Sequence, residues 1–261
     1  GLRRTVFTLE TQRFNVLPLR YRRVFEKCDL ILVPYELEFF QQCVPLEPFE
    51  DFKPKMMFFG NAIHPNTVRL LRKPKDEARA SLHLPIQKTI VFCAYGRGEG
   101  AMKVVSTVVH AGEKLTAKNK DLLFILSDPT GEFQKACPPR DWLQFVGLDS
   151  EKALATLAAC DCTIQGLGTN TLLEAMVAGK PMVAISLDRP YEEQASKGRG
   201  VASLGLGTHL PLGAVNEETI EDALLRTLEE GSTSQRSKAL STALGDLKGA
   251  ERIAAELSRN I

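Results

Sequence analysis

The feature that most limits the fold of this chain is an alternation that begins near Lys88. Short apolar runs at 89–94, 122–127, 142–146, 163–165 and 181–186 read as strands. Between them, stretches at 101–114, 150–159, 171–178 and 192–197 read as helices, and 217–229, 234–247 and 250–259 close the chain as further helices. Short continuous apolar runs suit strands covered on both faces, and strands that alternate with helices build parallel sheets. The expected fold class is therefore α/β, a doubly wound, Rossmann-like parallel sheet over 88–261. Ligands of such sheets sit outside the carboxyl ends of the strands, where the strand order reverses.

Residues 1–62 read as the tail of another α/β unit. The apolar runs 28–34 and 55–60 are two strands, and the acidic, proline-bearing 36–54 is a short helix and loop. Two strands are too few to close a sheet alone. A linker and a short amphipathic helix over 76–84 occupy 63–87, punctuated by His64, Pro65, Asn66 and Pro74. The chain begins at Gly1, and an upstream piece is expected. Hydrophobic content of 44% and charged content of 25% are those of a globular protein, and a net charge of +1 implies no nucleic-acid partner. No run is long enough to cross a bilayer, and no secretory signal opens the chain, so a cytoplasmic location is expected. Cysteines 28, 43, 93, 137, 160 and 162 form no C-x-x-C pair and read as reduced thiols beside apolar runs. Histidines 64, 83, 110 and 209 show no metal-ligand spacing, with His110 inside a helix and His209 in a late loop.

Within the alternation, 163–181 carries the most chemistry. Gly166 and Gly168 allow a tight turn, Thr169 or Asn170 supplies a helix cap, and Thr171 with Glu174 fits a capping box. Gly179 and Pro181 end the helix. A glycine turn that feeds a helix start is an anion site, because free N–H groups and the helix dipole point the same way. The same pattern is also an ordinary βα turn. A second glycine turn, Gly96-Arg97-Gly98-Glu99-Gly100, follows the first strand of this half without completing G-x-G-x-x-G. Arg97 is either a phosphate ligand or an exposed turn residue.

Gly168, Asn170, Thr171, Glu174, Ala175, Gly179 and Pro181, followed by Glu193-Gln194, resemble the donor-binding half of GT-B glycosyltransferases, especially families 28 and 1. The resemblance covers about Lys88 to the C-terminus. It implies a nucleotide-sugar donor domain at 88–261, behind the last strands of an acceptor-binding domain at 1–62. The last helix often crosses back to that domain in the family. The implied reaction is transfer of a sugar from a nucleotide-sugar, in this reading UDP-linked, to a hydroxyl acceptor that the sequence leaves unidentified.

The resemblance also assigns roles. Gly96, Arg97 and Gly98, with Gly168, Thr169, Asn170 and Thr171, would meet the diphosphate. The backbone near Phe145 and Val146 would hold the uracil edge, while Trp142 has the simpler reading of a core aromatic. Glu174 would accept both ribose hydroxyls, though a capping-box carboxylate shares that geometry. Glu193 and Gln194 would bind the sugar hydroxyls, though acidic residues also suit a helix start. One departure stands out: many family 1 members have a histidine where this chain has Gly166, so that diphosphate contact is either lost or supplied by backbone N–H groups. No general base is assigned, and the scheme calls for no metal and no cofactor. Two rivals stay open: a UDP-N-acetylglucosamine 2-epimerase, and a non-catalytic binding subunit that needs a partner chain. The acceptor side would come from that partner or from an N-terminal domain outside this sequence.

Overall fold

The computed structural model describes residues 6–8, 22–43, 47–95, 100–147, 149–187, 194–229 and 234–259. Its first sheet has three parallel strands in the order β1-β2-β3, namely Val6–Thr8 (β1), Leu30–Val33 (β2) and Met56–Phe58 (β3). The sequence pattern predicts only the last two. Between the strands lie Arg22–Lys27 (α1), Leu37–Cys43 (α2) and a 3-10 helix over Glu47–Lys55. Phe25, Phe39, Phe40, Phe49 and Phe52 are all buried here; Phe25, Phe40, Phe49 and Phe52 form tilted and edge-on ring pairs, and Phe39 tilts against Tyr35.

The expected linker is more ordered than its punctuation suggests. Pro65–Leu71 (α3) and Lys75–Ser81 (α4) are both helices. Pro65 stands at the first helical position, where its missing N–H costs nothing, and the His64 ring caps the helix by accepting Asn66 N–H at 3.2 Å. Residues read as breakers are thus a helix start.

The second sheet comprises Thr89–Ala94 (β4), Leu122–Ser127 (β5), Leu143–Val146 (β6), Cys162–Gly166 (β7), Met182–Ser186 (β8) and Gly207–Pro211 (β9). All its neighbouring strands are parallel, in the order β6-β5-β4-β7-β8-β9. The chain runs outward from β4 to one edge, returns, and runs outward from β7 to the other. The reversal falls between β4 and β7, where Ala94 pairs with Gln165. The helices between these strands are Ala101–Lys118 (α5), Glu132–Ala136 (α6), Ser150–Ala159 (α7), Thr169–Val177 (α8) and Gln194–Ser203 (α9). Then follow Glu217–Glu229 (α10), Ser234–Leu244 (α11) and Gly249–Arg259 (α12).

Strand side chains alternate between two cores, as the period of two requires. Ile90, Phe92, Leu123, Ile125, Met182 and Ala184 pack into a cluster continuous with Ile31, Val33 and Phe40 of the first sheet. Val91, Cys93, Phe124, Leu126, Val183 and Ile185 face the other way, onto Val104 and Val108 of α5 and Ile220 and Leu224 of α10. At the amino ends of the strands, the buried Arg79 joins Asp161 at 2.6 Å and Ala159 C=O at 3.0 Å, and Asp161 accepts Ile90 N–H at 2.7 Å. This network ties α4 to the start of β4, on the side away from the strand ends where ligands bind. The cysteines are free thiols, and all but the half-buried Cys137 are buried. Among the described residues, no helix is long and apolar enough to cross a membrane.

Sequence reading missed β9 and α6, and placed His209 in a loop where it lies within β9. Gly207–Pro211 holds few apolar residues, and its strand character comes from pairing with β8. A Cβ at Gly207 would fall 1.9 Å from the Met182 carbonyl oxygen, so only glycine permits that approach. The C-terminal helices return to the first unit. Asn61 Nδ2 donates to the Ala243 and Leu244 carbonyls at 2.9 and 3.2 Å, and Arg252 donates to Phe59 C=O at 3.0 Å. The return path implied by the resemblance is present.

Candidate functional site

The site is built where the strand order reverses. β7 ends at Gly166, Leu167 is buried, and the chain turns at exposed Gly168 directly into α8. The expected caps are not there. Gly168 is itself the N-cap, in extended backbone, and no side chain caps the helix. Thr169, Asn170 and Thr171 therefore occupy the first helical turn. The first bond of the helix runs from Leu172 N–H to Gly168 C=O at 2.9 Å, so the N–H groups of residues 169–171 are left at the helix end. A short polar side chain at the cap would have satisfied one of them. With glycine there, they face outward, and the helix dipole adds positive potential at the same place.

Glu174 is displaced by the same shift. It is the sixth residue of α8 and belongs to its second turn, so it does not close a capping box with Thr171. It is half-buried, its carboxylate makes no hydrogen bond or ion pair among the described residues, and burial raises the carboxyl above its ordinary value. The capping reading thus falls away, and a carboxylate without a partner among the described residues remains.

A cleft of about 180 Å³ opens beside this helix start, lined by Tyr35 and Phe39 from the first unit and by Thr169, Asn170, Leu172 and Met176 from α8, among others. Tyr35 OH lies 3.5 Å from Thr169 Oγ1, so one contact links the end of β2 to the start of α8. At β7, a Cβ on Gly166 would meet the Tyr95 ring at 3.7 Å. The space of the family histidine is thus flanked by a tyrosine from the end of β4.

The remaining expected residues divide three ways. Gln194 opens α9, and its Oε1 accepts Leu187 N–H at 2.8 Å, which ties the end of β8 to the helix. This hydrogen bond uses one of the two lone pairs of the amide oxygen and fixes the side chain at the start of α9. Phe145 is half-buried and Val146 buried at the end of β6, two strands from the reversal, and the Val146 carbonyl accepts Asp128 N–H at 2.8 Å. Trp142 packs edge-on against Phe124 with Arg140 over its ring, which is the core reading. Gly96, Arg97, Gly98 and Glu193 lie outside the described residues.

Sequence reasoning overlooked two residues at the site. Lys197, the fourth residue of α9, is 1% exposed and donates to Thr169 Oγ1 at 3.0 Å. Tyr35 lies between the strand read at 28–34 and the helix and loop read at 36–54, and sequence reading assigned it no role. The sole available signal for Lys197 was its place three residues after Gln194, which no periodicity marks. His209, paired with Ser186 at 2.9 Å, is held below its ordinary pKa by burial and then by Arg199.

No family model matches the chain. The NDP-glycosyltransferase YjiC of Bacillus subtilis (strain 168) is 34% identical over 104 residues, 40% of this chain and 26% of that protein. The chloroplastic monogalactosyldiacylglycerol synthase of Spinacia oleracea is 30% identical over 142 residues, 48% of this chain and 25% of that protein. The chain spans about a quarter of the length of these curated relatives. Among solved structures, Os79 from O. sativa in complex with UDP superposes with a TM-score of 0.65 at 18% identity, over 91% of this chain and 56% of that one. The chain has the GT-B fold. The GT-B architecture is also that of the UDP-GlcNAc 2-epimerase from Neisseria meningitidis bound to UDP-GlcNAc, with a TM-score of 0.64 at 12% identity, over 97% of this chain and 69% of that one.

Proposed function

We propose that this chain is the donor-binding part of a GT-B glycosyltransferase that moves a sugar from a UDP-sugar to a hydroxyl acceptor. The observation that carries this is the uncapped start of α8 at the strand-order reversal, with Glu174 one turn further along. The N–H groups of residues 169–171 are the proposed diphosphate site, and Glu174 takes the ribose hydroxyls. The backbone near Phe145 and Val146 is the proposed contact for the base, and Gln194, with Glu193 beside it in sequence, is the proposed sugar contact. In the reaction, the bond from the sugar C1 to the diphosphate oxygen breaks and a bond from the acceptor oxygen to C1 forms. The acceptor proton passes to a base, and charge develops on the leaving diphosphate. Helix N–H groups fixed in advance stabilise that charge without reorganising. No cofactor or metal enters this scheme, and the free thiols fit a cytoplasmic setting.

The proposed division is an acceptor-side unit at 1–62 and a donor domain at 88–261, and the presence of two separate sheets supports it. Transfer needs acceptor, base and donor within near-attack distance, and such positioning accounts for about 7–11 kcal/mol of barrier. The chain spans 56% of the Os79 chain, so the remaining acceptor surface is assigned to a further domain or a partner. The second reading, an epimerase, is favoured by the fit over 97% of this chain. Calorimetry with UDP, followed by incubation with UDP-sugars, separates these readings. The expected outcome is UDP binding with transfer at background by the isolated chain. UDP-GlcNAc returned with its C2 inverted would overturn the transferase reading, and failure to bind UDP would overturn both.

A further inference from the structure

Lys197 is as deeply buried as any charged side chain near the cleft, and the proposed chemistry has not yet used it. Its ammonium donates to Thr169 Oγ1 at 3.0 Å and to the Leu167 carbonyl at 3.4 Å. Both partners lie on the short path from β7 into α8, so one side chain from α9 grips the turn on each side of Gly168. Thr169 also lines the cleft and lies 3.5 Å from Tyr35 OH.

The chemistry of these groups fixes directions. An ammonium only donates, so Thr169 Oγ1 accepts from Lys197 and its own hydrogen must turn elsewhere. Thr169 stands at the first position of α8, beside the N–H groups left at the helix end. An anion seated on those N–H groups and on the hydroxyl would lie one hydrogen-bond layer from Nζ, at about 5–6 Å by adding two bond lengths. At that distance inside a protein, a full positive charge acts on an anion far more strongly than it would through water. An apolar side chain of similar length would fill the space without the desolvation cost of a buried charge.

We propose that Lys197 is a positioning residue for the diphosphate of a nucleoside diphosphate ligand. It orients the Thr169 hydroxyl and places a buried positive charge beneath the start of α8. The ligand is thereby recognised by its diphosphate more than by its nucleoside. This rests on the donor-site reading given above. Lys197 itself stays out of ligand contact and acts through Thr169.

The test uses the full 261-residue chain with three probes: UDP, uridine and inorganic pyrophosphate. Affinities are measured by calorimetry, or by ligand-observed NMR for uridine, on wild type, Lys197→Met, Lys197→Arg and Thr169→Val. Lys197→Met should weaken UDP and pyrophosphate at least tenfold and change uridine less than twofold. Lys197→Arg should recover most of the loss, and Thr169→Val should show a smaller loss with the same selectivity. Equal losses for UDP and uridine, or unchanged pyrophosphate binding, would overturn the proposal. If Lys197→Met does not fold, Lys197→Arg and Thr169→Val decide, because UDP and pyrophosphate affinities unchanged in Thr169→Val contradict the relay. Pyrophosphate binding that depends on Lys197 in a chain that ignores UDP would leave this assignment standing and remove the nucleotide reading. Wild type that binds uridine as tightly as UDP would do the reverse. A chain that binds none of the three removes both.

Discussion

Glu174 and His209 are ionisable groups whose surroundings differ from those their sequence neighbours suggest. Burial raises the Glu174 carboxyl, and no partner among the described residues lowers it. Ribose hydroxyls donate to the charged form, so UDP affinity should rise with pH through this raised pKa. Glu174→Gln should remove that pH dependence and weaken UDP by about 1.5–3 kcal/mol, the value of hydrogen bonds to a charged group. The variant should melt no lower than wild type, because it sheds a desolvated carboxylate. Calorimetry across pH together with a melting curve checks both parts, and unchanged affinity with a lower melting temperature would make Glu174 purely structural. His209 is the opposite case. Its folded pKa is depressed by burial and by Arg199, so its stabilising contribution is complete above about pH 6.5 and is lost as pH falls below that value. His209→Gln keeps a hydrogen-bonding group beside Ser186 and removes the titration. Its melting temperature should fall less than that of wild type between neutral and mildly acidic pH, and parallel curves would contradict this.

Among the elements, α9 and α12 show how close contacts override local preference. α9 continues through Gly198 and Gly200 to Ser203, well past the expected end at 197. A Cβ at Gly198 would lie 2.2 Å from the His209 ring, and one at Gly200 would lie 2.7 Å from Cys43 Sγ. Glycine weakens a helix by about 1 kcal/mol, yet here it lets β9 and α2 approach. The start of α12 makes a similar contact. Gly249 N–H donates to Asn61 C=O at 3.1 Å, and a Cβ at Gly249 would meet the backbone oxygens of Gly60 and Asn61 at 2.6 and 2.8 Å. Backbone yields less than a flexible side chain, so Gly249→Ala should cost about 1–3 kcal/mol. It should also expose α12 to limited proteolysis before the sheet unfolds. A protease pattern and melting temperature equal to wild type would show that the C-terminal return tolerates movement.

For the molecule as a whole, the sheets meet through a continuous core, and the cleft lies between Tyr35 of one unit and Thr169 of the other. The proposed site answers the charge of a diphosphate with backbone N–H groups and the Lys197 ammonium. On this proposal, binding needs no divalent metal. UDP affinity should change less than twofold when EDTA replaces magnesium in the titration, and a large loss on chelation would sink this scheme. Donor binding should also raise the melting temperature with UDP concentration, by about 2.7 kcal/mol of stabilisation at a hundred times Kd.

The apolar runs and their spacing determined the α/β class, the bounds of Thr89–Ala94, Leu122–Ser127 and Ser150–Ala159, and the glycine turn into α8. These were legible because a strand buried on both faces must be apolar throughout, and a positive-φ residue such as Gly179 marks a helix end by itself. The start of α8 was not legible. Thr169, Asn170 and Thr171 all suit a cap, and propensity does not choose among neighbours. Tertiary packing chose Gly168, because Lys197 from α9 grips Thr169 and the Leu167 carbonyl across 28 and 30 residues of sequence. It also decided that Gly207–Pro211 is a strand and that Gln194 Oε1 accepts Leu187 N–H. Local sequence carries the period of an element, whereas a cap, an edge strand and a buried cation depend on partners supplied from elsewhere in the fold.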